Sequence, residues 1–153
     1  MTTPKILTGW DGSDASEHAV RAASELAQMV GGELHLVLVW DLLSQPGQRS
    51  NAYHHTDAQA DAERAAKRLV PDGVRYVAHE ALGVPGEIIP RLADEIGVDW
   101  IVVGRSGRGG LLKRVLGSTS LQIVRHAHVP VIVIPIADRS HSVGALDEDH
   151  LSG

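Results

Sequence analysis

The sequence predicts a doubly wound α/β domain, an open five-stranded parallel sheet with helices on both faces. Two observations carry this prediction. Short aliphatic runs alternate with segments of helical spacing in the order β α β α β α β, followed by a loop, a helix and a last strand. Alternation of that kind requires parallel strands joined by right-handed crossovers. The apolar residues are nearly all Ala, Val, Leu and Ile, with no Phe, three Trp and two Tyr, which suits alanine-faced helices on an aliphatic sheet. A chain of 153 residues can bury such a core as one domain without disulfides or a metal.

The first strand is read at residues 5–10, where an aliphatic run stops at the turn residues Asp11-Gly12-Ser13-Asp14. Asp14 and Glu17 offer a capping box for the first helix. Ala19, Ala22, Ala23, Leu26 and Val30 follow at helical spacing until Gly31-Gly32 ends it. Residues 34–40 are too short and too apolar for a helix and read as a strand buried on both faces. The polar stretch between Leu42 and His55 has no period and is longer than an ordinary connection. Thr56 and Gln59 offer a second capping box, and alanine spacing runs on to Leu69 before Pro71-Asp72-Gly73. Residues 74–81 form the third strand and 83–86 a turn. The third helix is marked by Ile88, Ile89, Leu92, Ala93 and Ile96, with Pro90 predicting a late start or a kink. Residues 100–103 are the fourth strand, 118–127 a short helix, and the run from Val129 to Ile136 the fifth strand. The domain is expected over residues 1–137. Residues 138–153 are polar or small without a period and are expected to be a disordered tail.

Composition excludes several classes of function. With no cysteine there is no disulfide framework, thiolate nucleophile or thiolate metal site, as in many cytoplasmic proteins. The opening residues lack the basic and apolar regions of a signal peptide. No apolar run reaches the roughly 18 residues of a membrane helix. A formal charge of -5 argues against a general nucleic-acid binder. Charge is unevenly placed, however: residues 104–119 contain Arg105, Arg108, Lys113 and Arg114 and no acid.

That basic stretch is also the one richest in glycine. It follows the fourth strand, and ligands of open parallel sheets bind beyond the carboxyl ends of the strands where the strand order reverses. Glycines at 104, 107, 109, 110 and 117 let backbone N–H groups approach phosphate oxygens. The helix start at Ser118 and Thr119 adds unpaired N–H groups, hydroxyls and the positive end of a dipole. A Walker A loop is absent, since no lysine followed by Ser or Thr stands after a glycine. The dinucleotide fingerprint is absent from the first strand-to-helix turn. A phospho-receiver domain would need an aspartate after the third strand, and none stands there.

The spacing Gly104-x2-Gly107-x9-Gly117-Ser118 resembles the nucleotide-binding signature of the universal stress protein family. The resemblance extends to the opening Ile6-Leu7-Thr8-Gly9-Trp10-Asp11-Gly12-Ser13, to Val98-Asp99-Trp100-Ile101-Val102-Val103 and to His126-Ala127-His128-Val129-Pro130-Val131-Ile132-Val133. It implies strand order 3-2-1-4-5 and an ATP-binding regulator of the stress response. Asp11 would take the ribose or a magnesium ion, the Val39 backbone the adenine, and Gly104, Gly107, Gly117, Ser118 and Thr119 the phosphates. Trp10, Val103, Arg108 and Ser120 complete the candidate nucleotide-binding set. Trp10 and Arg105 depart from the small residues usual at their positions. The resemblance and the aliphatic fifth strand together imply a homodimer.

Simpler readings stand beside these. Asp11 is also a good cap for the first helix, and glycines commonly serve ordinary strand-to-helix connections. His54-His55 and His126-x-His128 lack the third and fourth ligands of a zinc site. Trp40 and Trp100 suit the core or a subunit contact. No catalytic constellation is visible, so the chain is not expected to be an enzyme. A protein-contact scaffold and a slow ATP hydrolase are the alternatives. Because the loop recognises phosphate, ATP, AMP and cyclic AMP all fit it.

Overall fold

The computed structural model describes residues 2–40, 57–105 and 116–135. In chain order the elements are β1 (Lys5–Trp10), α1 (Asp14–Val30), β2 (Glu33–Trp40), α2 (Ala58–Leu69), β3 (Arg75–Leu82), α3 (Pro85–Ile96), β4 (Trp100–Gly104), α4 (Ser118–His126) and β5 (Val131–Ile134). The five strands form one parallel sheet in the order β3-β2-β1-β4-β5. Ile6 lies opposite Leu34 on one side and Trp100 on the other. The order reverses between β1 and β4, which sets the ends of these two strands side by side.

Successive strand residues point to opposite faces, and both faces are covered. Ile6, Leu34, Leu36, Leu38 and Val102 pack against α1 and α2, which meet them with Ala19, Ala23 and Ala27 and with Ala58, Ala62 and Ala66. Alanine at every fourth position brings a helix close to the sheet. On the other face Leu7, Val37, Ile101 and Val103 pack against Ile89 and Ala93 of α3 and Ile123 of α4. Trp10, Trp40 and Trp100 lie half-buried at the margin of the first layer.

Several boundaries differ from the sequence expectation. Ser13 rather than Asp14 caps α1: its backbone is extended (φ -79°, ψ 158°) and its hydroxyl accepts the Ser16 N–H at 3.2 Å. Asp57 precedes α2 in a helical conformation and makes no side-chain cap, while the Gln59 amide donates instead to the Ala78 carbonyl at 3.0 Å. Thr56 falls outside the described residues, as do the segment 41–56, its His54-His55 pair and the expected tail. The third helix starts early, because Val84 is extended before a proline and Pro85 takes the first turn, where its missing N–H costs nothing. Pro90 therefore sits within the helix. Residues 129 and 130 stand outside β5, although the Pro130 carbonyl accepts the Ile101 N–H at 3.0 Å.

One buried group is out of balance. The side chain of Thr8 is fully buried in the sheet, and its hydroxyl has no hydrogen-bond partner among the described residues. A buried unsatisfied polar group costs about 1–3 kcal/mol. Thr8→Val, which keeps the branched shape, is expected to stabilise the protein by about 1 kcal/mol and raise Tm by ~3 °C. A fall in Tm would show that the hydroxyl is satisfied.

Candidate functional site

The site is built where β1 and β4 end side by side. After Trp10 the chain turns sharply: the Asp11 carboxylate accepts the Ser13 N–H at 2.8 Å, and Gly12 has φ +81°, a conformation that favours glycine. The Asp11 N–H donates to the Ser16 hydroxyl at 3.3 Å. Asp11 thus shapes the turn that sets Ser13 as the cap of α1, and does not cap the helix itself. It is half-buried at the turn.

Gly104 has a steric reason that requires no ligand. A Cβ there would lie 2.6 Å from the Ala15 carbonyl oxygen and 3.0 Å from the Ala15 Cβ. The first turn of α1 is seated directly on the end of β4, and only glycine permits that approach. From this point the backbone bonds converge. The Arg105 N–H donates to Ile134 O at 3.0 Å, the Gly117 N–H to Arg105 O at 2.8 Å, and the Ser120 hydroxyl to Gly104 O at 2.7 Å. Arg105 and Gly117, which flank the glycine-rich stretch, are therefore pinned together, and α4 is anchored to β4. Gly107 and Arg108 lie outside the described residues.

The start of α4 differs from the other helix starts. α1 carries Asp14 and Glu17 in its first turn, α2 Asp61 and α3 Glu87, each a negative charge at the positive end of the dipole. α4 carries none, and its cap is Gly117, which makes no side-chain bond. Ser118 and Thr119 stand at this start, both exposed. An anion is the partner this end suits.

The remaining candidates divide by orientation. Val39, half-buried near the end of β2, packs on the α3 and α4 layer, and Val103 is buried in the same layer. The Trp10 ring lies on the opposite layer, with the Arg68 guanidinium 5.5 Å from its centroid; Arg68 also pairs with Glu17 at 3.6 Å. Ser120 is buried and spends its hydroxyl on Gly104, so it positions the helix. A hollow of about 530 Å³ lined by Arg64, Lys67 and Tyr76 lies between α2 and β3, beside the first half of that strand. His126 Nδ1–H donates to Gln122 O at 2.8 Å and His128 Nδ1–H to Asp94 Oδ2 at 2.9 Å. No group of three or more His, Asp or Glu among the described residues is arranged to hold a metal ion. Sequence reasoning missed a histidine pair, His35 on β2 and His79 on β3. The signal was a histidine inside an apolar run, but its partner is remote in sequence.

The model of the universal stress protein family matches residues 2–135. This chain belongs to that family. A putative universal stress protein from Staphylococcus haemolyticus is 32% identical over 146 residues, covering 88% of this chain and 86% of the relative. A solved universal stress protein in complex with cAMP is similar at a TM-score of 0.63 and 25% identity, over 88% of this chain and 98% of that one. A universal stress protein from Archaeoglobus fulgidus, solved in complex with dAMP, shares the fold at a TM-score of 0.63 and 24% identity, over 87% and 98%. Among the described residues of this universal stress protein, no helix is long and apolar enough to cross a membrane.

Proposed function

We propose that this chain is a non-catalytic regulator that binds an adenine nucleotide, ATP, at the joined ends of β1 and β4. The observation that carries the reading is the start of α4. It alone among the described helices lacks an acid in its first turn, and it presents Ser118 and Thr119 beside the pinned ends of a basic, glycine-rich loop. In this reading the backbone and hydroxyls of Gly117, Ser118 and Thr119 hold phosphate, with Gly104, Gly107 and Arg108. Asp11 takes the ribose or a magnesium ion, and the Val39 backbone faces the base. That solved relatives carry cAMP and dAMP supports an adenine ligand. The helix end contributes about 0.3–2 kcal/mol to holding an anion, so several donors must act together.

The test is isothermal titration with ATP, ADP, AMP and cyclic AMP, with and without magnesium. Saturable binding of ATP is expected; heat of dilution alone for all four would sink the reading.

The regulator works as a homodimer in this proposal. β5 is a sheet edge of four half-buried aliphatic residues, and α4 beside it exposes Leu121 and Val124. An apolar edge of this kind invites pairing with a second copy. Sedimentation at tens of micromolar is expected to give a dimer that Val124→Asp weakens without unfolding. A monomeric parent protein would refute it.

A further inference from the structure

On the face of the sheet covered by α3, the edge strand β3 is tied to β2 by a chain of three side chains. Glu33 Oε1 lies 2.9 Å from His35 Nε2, and His35 Nδ1 lies 2.8 Å from His79 Nε2. The two rings are stacked, 5.1 Å between centroids and 18° apart in plane. His35 is 5% exposed. The backbone register sets Val77 opposite His35 and Val37 opposite His79, so the two rings meet on a diagonal of the ladder.

The chemistry of the chain assigns the protons. A carboxylate only accepts, so His35 Nε2 carries a hydrogen and donates it to Glu33. Neutral His35 then has a lone pair on Nδ1, and His79 must donate from Nε2. One added proton can be accommodated: His35 becomes the donor at Nδ1, and His79 moves its hydrogen to Nδ1 and accepts at Nε2. A second proton cannot. Both facing nitrogens would then carry hydrogens at a separation that requires one donor and one acceptor, and two positive charges would sit in stacked rings.

We propose that the Glu33–His35–His79 chain is a proton-operated latch that holds β3 to the sheet at neutral pH and releases it when both imidazoles are charged. β3 is suited to such release. It is an edge strand, and its Tyr76, Val77 and Leu82 are exposed. Its other side-chain ties among the described residues include Trp40 Nε1 to Glu80 Oε2 at 2.8 Å and the Gln59 amide to Ala78 O at 3.0 Å. Because Trp40 follows Val39, release of β3 reaches the flank of the proposed nucleotide site; that consequence alone rests on the proposed function.

The charged groups around the pair agree with this direction. From β1, Lys5 faces it, its ammonium 3.4 Å from Ile96 O at the end of α3. From β3, Arg75 stands opposite Glu33. On α3, Arg91 pairs with Glu95 at 3.9 Å and Asp94 with His128 at 2.9 Å. Burial lowers the proton affinity of both imidazoles. Glu33 opposes this for each, while Lys5 adds to the lowering for His35 and His35 adds to it for His79. A group with a depressed folded-state value takes up protons more readily unfolded. Its contribution is full above the ordinary imidazole value of 6.5 and is lost as pH falls through the native values.

The test is amide hydrogen exchange, corrected for intrinsic rates, at about pH 7.5 and about pH 5. Protection of the β3 amides is expected to fall about ten-fold more than that of β1 and β4. His79→Gln keeps a donor at the position of Nε2 and removes the titration, so it should abolish the excess loss. A uniform loss across the sheet, or an unchanged excess in His79→Gln, would overturn the latch. Should that variant not fold, a nitrogen-15 titration of the parent imidazoles decides: two coupled steps below 6.5 support the latch, and two independent steps at 6.5 refute it. Neither measurement requires nucleotide, so failure here is distinct from failure of the binding proposal.

Discussion

Gly104→Ala is expected to destabilise the protein by about 2–3 kcal/mol, an overpacking cost, and to lower Tm by roughly 4–12 °C. The methyl group would stand 2.6 Å from the Ala15 carbonyl oxygen. That neighbour is backbone in the first turn of α1, held by the Ser13 cap and by the packing of buried Ala15 and Ala19. It cannot rotate away as a side chain could, so α1 must shift against β4. Gly12→Ala is the informative control. Gly12 has φ +81°, and a Cβ added there would meet nothing within 4 Å, so alanine incurs only the left-handed backbone penalty of about 1–2 kcal/mol. Thermal melts of the two variants distinguish crowding from backbone strain. Equal or reversed losses would show that close approach is not what glycine provides at position 104.

Gly117→Val combined with Ser118→Val is expected to weaken ATP binding at least ~100-fold, or about 2.7 kcal/mol, while the domain still melts cooperatively. The fold should tolerate the change. Gly117 has φ -59° and ψ 155°, a conformation open to any residue, and no capping side chain is lost because none is present. Exchanging a glycine cap for valine costs folding about 1 kcal/mol, within the roughly 5–15 kcal/mol of a typical domain. Binding suffers more in the proposed site. Branched side chains would fill the space next to the helix start, and the Ser118 hydroxyl would be gone. Titration with ATP beside a thermal melt reads both effects. Unchanged affinity in a folded double variant would move the phosphate site away from α4.

The topology was legible because it follows from local alternation. Aliphatic runs too short for helices, separated by alanine-spaced segments, leave a parallel sheet as the arrangement that buries both faces of every inner strand. The cap of α1 was misplaced by one residue because Ser13 and Asp14 are both good caps; the choice falls to whichever has the extended backbone, and that depends on the turn built by Asp11. Gly104 was legible as important but not for its steric reason. Ala15 lies far away in sequence, and nothing in the local pattern shows that its carbonyl will stand over β4. The His35–His79 contact was hidden for the same reason. His35 looks like a polar interruption in an apolar run and His79 like one of several polar residues of its strand, and only the register of β2 with β3 joins them.

The hydrogen bond from the Gly117 N–H to the Arg105 carbonyl separates two kinds of evolutionary freedom. It closes the intervening chain at its base, with β4 on one side and α4 on the other, so the anchor points no longer depend on what the closed segment contains. Loop-closure entropy grows only slowly with length, by about 0.6 kcal/mol for a doubling. As far as closure entropy goes, a change in the length of this segment therefore costs folding little. Residues there can change while β4 and α4 are inherited unchanged.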